Sequence, residues 1–212
     1  VELMRAYEQK KELSTVKGIA YIDENNQFVR TFGRDLIQNI DEVLFPAWEI
    51  FPMDYYAMLR MPNIKNDERC FPVLSSRGCN FECNFCYRMD KGMRLRSAKN
   101  IVEEIKVLKE EYKINYIAFS DDLVMSSPDR TIELCEAMLE ADLRIKWDCN
   151  GRLNYATKKV LTMLKKAGCV FINYGIECMD DKILRIMNKA LTVKQIVTGI
   201  ENTLEVGISP GF

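Results

Sequence analysis

Short apolar segments alternate with amphipathic helical segments from residue 70 to residue 208, and this alternation constrains the fold more than any other feature. Short apolar strands separated by helices indicate parallel β/α units, in which the helices cover a sheet. We therefore predict the α/β class, as a partial TIM-like barrel of parallel strands with helices outside. Four complete units are visible and a fifth strand begins at Ile208, so we expect the barrel to be truncated in this chain.

Residues at the ends of these segments set the predicted boundaries. The hydroxyl of Ser97 can accept a hydrogen bond from the first turn of a helix that reaches Tyr112. Pro128 suits the first turn of the next helix because it lacks an N–H group, and Gly168 ends the following one. The predicted strands cover 70–75, 114–119, 144–149 and 169–174, and the predicted helices cover 97–112, 128–141, 156–167, 180–187 and 192–206.

Residues 1–66 are predicted to form a connector that precedes the barrel. A strand, a polar turn and a second strand over 16–30 indicate a β-hairpin. The segment 44–52 is apolar and contains two prolines, so we expect it to be extended. The chain turns polar around 60–68, and we place a domain boundary there, with the barrel core over 67–212.

Charge and composition argue against several classes of protein. Lysine and arginine number 30 and acidic residues 31, a net charge of -1, whereas nucleic-acid-binding proteins carry a basic excess. No run of about 18 uncharged apolar residues occurs, so we expect no membrane span. The first residues lack the basic-then-apolar profile of a secretory signal, so we expect a cytoplasmic protein. Histidine is absent, which removes Cys/His zinc sites and imidazole catalysis.

The segment directly after the first predicted strand carries Cys79, Cys83 and Cys86, separated by three and two residues. In a reducing compartment, clustered cysteines indicate metal ligands. Three thiolates can hold three irons of a cubic [4Fe–4S] cluster and leave the fourth iron open to a chelating substrate. Zinc is the alternative metal, although it requires a fourth ligand, and three buried thiols in a turn are the structural alternative.

The arrangement Cys-x3-Cys-x-aromatic-Cys after a first barrel strand resembles the radical S-adenosylmethionine (SAM) superfamily, with Phe85 as the aromatic residue. The resemblance implies a [4Fe–4S] cluster held by Cys79, Cys83 and Cys86, and SAM bound at the open iron. It implies reductive cleavage of SAM to a 5′-deoxyadenosyl radical, with an electron donor of the flavodoxin or ferredoxin type and a small-molecule substrate. Phe85 and Tyr87 are expected to pack near the adenine of SAM.

Further segments are similar to the subgroup of this superfamily that carries a cobalamin-binding domain upstream. The reactions implied are methylation at an unactivated carbon, a radical rearrangement or a ring closure. Cobalamin itself would be bound by a domain outside this chain, because its Asp-x-His-x-x-Gly signature needs a histidine. The similar segments are Val16-Lys-Gly-Ile-Ala-Tyr, Leu44-Phe-Pro-Ala-Trp, Arg94-Leu-Arg-Ser, Val102-Glu-Glu-Ile, Phe119-Ser-Asp-Asp, Gly175-Ile-Glu and Met187-Asn-Lys.

Polar side chains follow the second, third and fourth predicted strands, on the edge where parallel barrels gather their functional groups. SAM presents an ammonium, a carboxylate and a ribose diol to its binding site. We predict that Asp121 or Asp122 accepts hydrogen bonds from the ammonium and that Arg152 pairs with the carboxylate. Glu177 is predicted to accept hydrogen bonds from the ribose hydroxyls.

Each of these side chains also has a structural alternative. The two aspartates precede a loop and can cap a turn, Arg152 can form a surface ion pair, and Glu177 can bond to nearby backbone. Asn188 and Lys189 follow a helix, whose terminal carbonyls favour a cation, so we predict a capping role for both.

Two other functions stay open at this point. A methylthiotransferase-like radical SAM enzyme would use the same chemistry but would need a second cluster domain. A non-catalytic module, in which a partial barrel holds a cluster or zinc, is the alternative from another class. Because a partial barrel leaves a strand edge unpaired, we expect the isolated chain to self-associate.

Overall fold

A computed structural model describes residues 1–58, 64–88 and 92–212 of this chain. The chain forms two compact units, residues 1–38 and residues 39–212. The boundary after residue 66, between the connector and the barrel core, stays a prediction.

The first unit contains the predicted hairpin. Its elements are α1 (Glu2–Glu8), β1 (Ala20–Ile22) and β2 (Phe28–Arg30), and the two strands pair antiparallel. The Asp23 carboxylate closes the turn by accepting hydrogen bonds from the backbone N–H groups of Asn25 and Gln27, at 2.9 and 2.8 Å. Asn26 adopts the left-handed conformation, which asparagine tolerates better than most residues.

The second unit is built on a five-stranded parallel sheet, as the alternation of strands and helices predicts. The strands of this unit are β3 (Cys70–Val73), β4 (Ser76–Gly78), β5 (Met93–Leu95), β6 (Tyr116–Phe119), β7 (Lys146–Gly151), β8 (Cys169–Tyr174) and β9 (Ser209–Gly211). The strand order in the sheet is β3-β6-β7-β8-β9, so each β/α unit adds its strand at the same edge, as in a barrel. The other two strands, β4 and β5, form a separate antiparallel pair.

The helices of the second unit begin where the sequence places capping residues. The hydroxyls of Ser97, Ser127 and Thr157 each accept a hydrogen bond from an N–H group in the first turn. None of the helices in the part of the chain that the structure describes has the length and apolar composition of a membrane span. The helices are α2 (Met53–Tyr56), α3 (Ala98–Tyr112), α4 (Pro128–Glu140), α5 (Lys158–Lys166), α6 (Asp181–Ile186) and α7 (Val193–Val206).

The core lies between one face of the sheet and the helices. Trp147 of β7 lies at its centre, packs edge-on against Phe119 at 5.4 Å between ring centroids, and donates its indole N–H to the carbonyl of Ala167. Burial of each large apolar side chain stabilises the fold by about 1.5–3 kcal/mol. Because side chains alternate along a strand, the other face of β7 carries Asp148 and Asn150.

Two elements of the second unit differ from the prediction. The segment 44–52 is not simply extended, because it contains a 3-10 turn over Trp48–Ile50 and leads into α2. Trp48 is buried and packs edge-on against Tyr112, at 6.3 Å between ring centroids. Burial of a large aromatic ring outweighs the extended preference of two nearby prolines. The antiparallel pair β4–β5 was also not predicted.

Candidate functional site

The cysteine segment lies in the loop that joins β4 to β5. Two residues separate β3 from β4, so the loop begins close to the carboxyl end of the first strand of the sheet. Gly78 ends β4 with a φ of 84°, and a β-carbon at this position would overlap the carbonyl oxygen of Gly92. Glycine is therefore required where the two strands of the hairpin approach each other.

The three thiols of this loop line one cavity of about 320 Å³. Cys83 is buried, Cys79 is half-buried and Cys86 is exposed. Burial raises the pKa of the Cys86 thiol, and the neighbouring Cys83 and Cys79 sulfurs raise it further, whereas the nearby Lys189 cation opposes the shift. The Cys79 and Cys83 sulfurs and the Lys189 cation are therefore close enough to Cys86 to act on it electrostatically.

This donor set fits a cubic iron–sulfur cluster better than a single metal ion. Within residues 1–58, 64–88 and 92–212, no three Cys, Asp or Glu side chains are grouped so that they could hold one ion. Each cysteine ligand of a cubic cluster binds a different iron, so the thiols need to surround a cavity and not to meet at a point. A zinc site would require four donors around a single centre.

Side-chain amides fasten the cysteine loop to the end of α6. The side chain of Asn84 donates to the carbonyl of Ile186 at 2.7 Å, and its backbone N–H donates to the carbonyl of Met187 at 3.0 Å. Asn188 donates in the opposite direction, to the carbonyl of Glu82 at 2.7 Å. The side chain of Asn188 therefore holds the loop, and the capping role predicted for it is wrong.

Lys189 is a buried cation on the cavity wall, and it pairs with a more exposed carboxylate. Only 7% of Lys189 is exposed, and its Nζ lies 2.9 Å from Oε1 of Glu177 and 5.4 Å from the centre of the Phe85 ring. A β-carbon at Gly175 would lie 2.7 Å from both charged atoms, so the glycine makes room for the pair. The Lys189 ammonium therefore pairs with a carboxylate and not with the terminal carbonyls of α6, so the capping role predicted for it is wrong.

Arg152 is a buried cation held between the cysteine loop and the segment after α6. Only 8% of it is exposed, and its guanidinium carbon lies 3.5 Å from the centre of the Phe81 ring. It donates to the carbonyls of Lys189 and Ala190, and its Nη1 lies 4.0 Å from Sγ of Cys83. This placement differs from a surface ion pair, which was the structural alternative.

The two predicted aspartates lie in different environments. Asp121 is 2% exposed, and its carboxylate accepts hydrogen bonds from the Ser75 N–H and from the hydroxyls of Ser75 and Ser76, at 2.5–3.0 Å. Burial raises the pKa of Asp121, while the donors on Ser75 and Ser76 oppose the shift. Asp122 is exposed and lines the cavity.

Two aromatic and two amide side chains complete the site. Tyr87 is 89% exposed and lines the cavity, whereas Phe85 lies near Lys189. Asn173 donates to Oδ1 of Asn150 at 3.1 Å, and both line the wall. Asn173 was missed, although its position two residues before Gly175, on the open face of β8, is a signal that strand alternation provides.

Comparison with known proteins points to one family. The profile of the Radical SAM superfamily matches residues 73–212. The chain is 31% identical over 210 residues to an uncharacterized methyltransferase of Pyrococcus horikoshii, which covers 98% of this chain and 44% of the relative. It is 28% identical over 197 residues to the anaerobic magnesium-protoporphyrin IX monomethyl ester cyclase of Rubrivivax gelatinosus, which covers 91% and 34%. The chain therefore spans less than half the length of these relatives.

Solved structures show the same fold. The cobalamin-dependent S-adenosylmethionine radical enzyme OxsB, with aqua-cobalamin bound, has a TM-score of 0.78 at 20% identity, over 99% of this chain and 31% of that one. The radical S-adenosylmethionine methyltransferase TsrM from Kitasatospora setae, with cobalamin and a [4Fe-4S] cluster bound, has a TM-score of 0.72 at 15% identity, over 99% and 42%. The predicted fold is confirmed, and since the family profile runs from the end of β3 to the last residue, the chain belongs to the radical SAM superfamily.

Proposed function

We propose that this chain is the catalytic part of a radical SAM methyltransferase or cyclase, with a [4Fe–4S] cluster and SAM in the three-cysteine cavity. The observation that carries the proposal is that Cys79, Cys83 and Cys86 line one cavity together with charged side chains that follow three strands of the sheet. Family membership supports the same two cofactors. When bound, the cluster supplies the electron that cleaves SAM to methionine and a 5′-deoxyadenosyl radical.

Three charged residues of the wall suit the polar groups of SAM. Lys189 is the cation we assign to the SAM carboxylate, because it lines the cavity and its Nζ has a partner, Glu177, that a ligand can replace. Glu177 then becomes available to the ribose hydroxyls, the role predicted for it. Of the aspartates, we assign the ammonium to Asp122, because the oxygens of Asp121 already accept hydrogen bonds from two serines.

The aromatic residues of the cysteine loop suit the adenine. Tyr87 is at the rim of the cavity with most of its ring exposed, so a flat base can stack on it without displacing a core side chain. Phe85 is half-exposed, and the centre of its ring lies 5.4 Å from Nζ of Lys189, a residue of the cavity wall. Both residues therefore remain our candidates for adenine contact.

The relatives support the reaction class. One is a methyltransferase and one is a cyclase, so we propose methyl transfer or ring closure on a small-molecule substrate. The structures named as cobalamin enzymes support a cobalamin bound by a domain outside this chain.

We propose an electron donor of the flavodoxin or ferredoxin type. We also propose a cytoplasmic location, because a reducing compartment keeps cluster-binding cysteines available as thiolates.

The two alternatives keep distinct expectations. A methylthiotransferase-like enzyme would contain a second cluster, and a non-catalytic module would bind zinc without sulfide and would not bind SAM.

Self-association of the isolated chain also remains our proposal, because β3 and β9 lie at the edges of the five-stranded sheet. Size-exclusion chromatography tests it, and a monomer over a wide concentration range contradicts it.

The test of the proposed function is anaerobic reconstitution of the intact protein with iron and sulfide. We expect about four irons and four sulfides per chain at this site, as in [4Fe–4S] clusters, and release of 5′-deoxyadenosine after addition of dithionite and SAM. Alanine variants of Cys79, Cys83 and Cys86 should lose the cluster. The matched control is Cys135→Ala, which removes a thiol from α4 outside the cavity and should keep it. Intact protein that binds no cluster under these conditions refutes the proposal.

A further inference from the structure

The Arg152 guanidinium is a fixed cation beside one of the three cysteines. The Phe81 ring supports one of its faces, and the carbonyls of Lys189 and Ala190 accept hydrogen bonds from its Nη2. These contacts leave Nη1 directed at Sγ of Cys83, at 4.0 Å. Since the Lys189 carbonyl is buried with the guanidinium and the Phe81 ring is half-buried against it, the guanidinium has little freedom to turn away.

The same contacts make Arg152 a poor clamp for the carboxylate of SAM. A bidentate pair uses two parallel N–H groups on neighbouring guanidinium nitrogens. All three nitrogens of Arg152 already have protein partners, since Nε contacts Oδ1 of Asn154 at 3.3 Å. The role predicted from its position after β7 would therefore require several of these contacts to break.

Resting on the proposed function, we propose that Arg152 is a positioning residue that acts on the cluster through Cys83 and raises its reduction potential. Reduction adds one electron and no proton, so the net charge of the cluster becomes more negative by one. The electron comes from the flavodoxin-type or ferredoxin-type donor, or from dithionite in vitro. A nearby cation and an N–H···S contact stabilise the more negative state more than the oxidised one.

The charge of Arg152 acts on Cys83 more directly than the charge of Lys189, which lies near Cys86. Lys189 is paired with the Glu177 carboxylate, which offsets its charge. Apart from Cys83 itself, the partners of Arg152 described above are main-chain carbonyls, an amide oxygen and an aromatic ring, and none of these carries a negative charge. Arg152 therefore presents a full positive charge to Cys83 from a buried position, where electrostatic interactions are strengthened.

The test is a redox titration of the reconstituted intact protein with dithionite, without SAM, followed by the electron paramagnetic resonance signal of the reduced cluster. We expect Arg152→Met to lower the equilibrium constant for reduction about tenfold, which is about 59 mV for a one-electron couple. Arg152→Lys keeps the positive charge but loses the planar contact with the Phe81 ring, so its reduction potential should lie between those of the wild type and Arg152→Met. The matched control is Arg144→Met, which removes an exposed arginine from the turn before β7 and should leave the potential unchanged.

Each outcome separates this inference from its alternatives. The signal comes only from molecules that contain a cluster, so partial loading does not hide a shift. An unchanged reduction potential in Arg152→Met overturns the inference. A shift in potential that appears only in a second titration, with SAM added, also overturns it. Complete loss of the cluster in both Arg152 variants, with normal loading of Arg144→Met, also overturns it, because Arg152 would then serve assembly. Failure of the wild-type protein to bind a cluster is a different result and refutes the proposed function instead.

Discussion

Replacing Gly175 by alanine should damage ligand binding without unfolding the protein. The new methyl group would lie 2.7 Å from Oε1 of Glu177 and 2.7 Å from Nζ of Lys189. Both atoms are the ends of flexible side chains, so they can move away while the backbone stays in place. The expected consequence is a broken ion pair on the cavity wall, with Lys189 displaced from the position we assign to SAM binding.

The size of each effect follows from the burial of the pair. Side-chain exposure is 9% for Lys189 and 33% for Glu177, so loss of this partly solvated pair should cost about 1 kcal/mol of unfolding free energy. A hydrogen bond to a charged group contributes about 1.5–3 kcal/mol to binding. If Lys189 binds the SAM carboxylate, its displacement should weaken SAM binding by about 10-fold to 100-fold.

Two other glycines serve as controls. A β-carbon at Gly151 would lie 2.5 Å from Sδ of Met125 and 2.6 Å from Cγ2 of Ile172, inside the core, so Gly151→Ala should cost about 1–3 kcal/mol through overpacking. A β-carbon at Gly33 would meet nothing within 4 Å, so Gly33→Ala should change neither the unfolding free energy nor the affinity for SAM.

Two assays measure these effects separately. Denaturant unfolding gives the change in unfolding free energy, and equilibrium binding of labelled SAM to the reconstituted protein gives the change in SAM affinity. SAM affinity in Gly175→Ala equal to that of the wild type refutes the role assigned to Lys189. A loss of stability in Gly175→Ala greater than that of Gly151→Ala would refute the argument that flexible side-chain ends give way.

Three further outcomes are expected. Asp121→Asn should lower the unfolding free energy by about 1–3 kcal/mol, because it weakens the acceptor for the Ser75 and Ser76 donors, with denaturant unfolding as the measurement. Asp122→Asn should leave unfolding unchanged and weaken SAM binding several-fold, and equal affinity would contradict our choice between the aspartates. Burial raises the pKa of Asp148, against the opposing hydrogen bond from Tyr116, so this group favours folding below its ordinary pKa and loses that contribution as pH rises through the folded value. Asp148→Asn should therefore gain stability relative to the wild type at pH 7 compared with pH 4, and parallel pH profiles of unfolding would refute this.

Local sequence patterns predicted the order of the sheet elements well. The strand over 169–174 was predicted with the bounds that β8 has, and Ser97 caps α3 as expected. These signals are local, because apolar run length, a capping hydroxyl and a terminal glycine each act within a few residues. The β4–β5 pair has only three residues in each strand, and its pairing depends on contacts across the cysteine loop, so no periodic pattern could reveal it.

The sequence by itself determined the three-cysteine loop, its place after the first strand and the parallel fold, because spacing and periodicity are properties of the chain. Only the tertiary structure separated Asp121 from Asp122, because packing decides which of these two adjacent residues after β6 is buried. It also brought Lys189 to Glu177 and Arg152 to Cys83, pairs that are 12 and 69 residues apart. Such pairings arise when distant segments pack together, and that information is not contained in any local stretch of sequence.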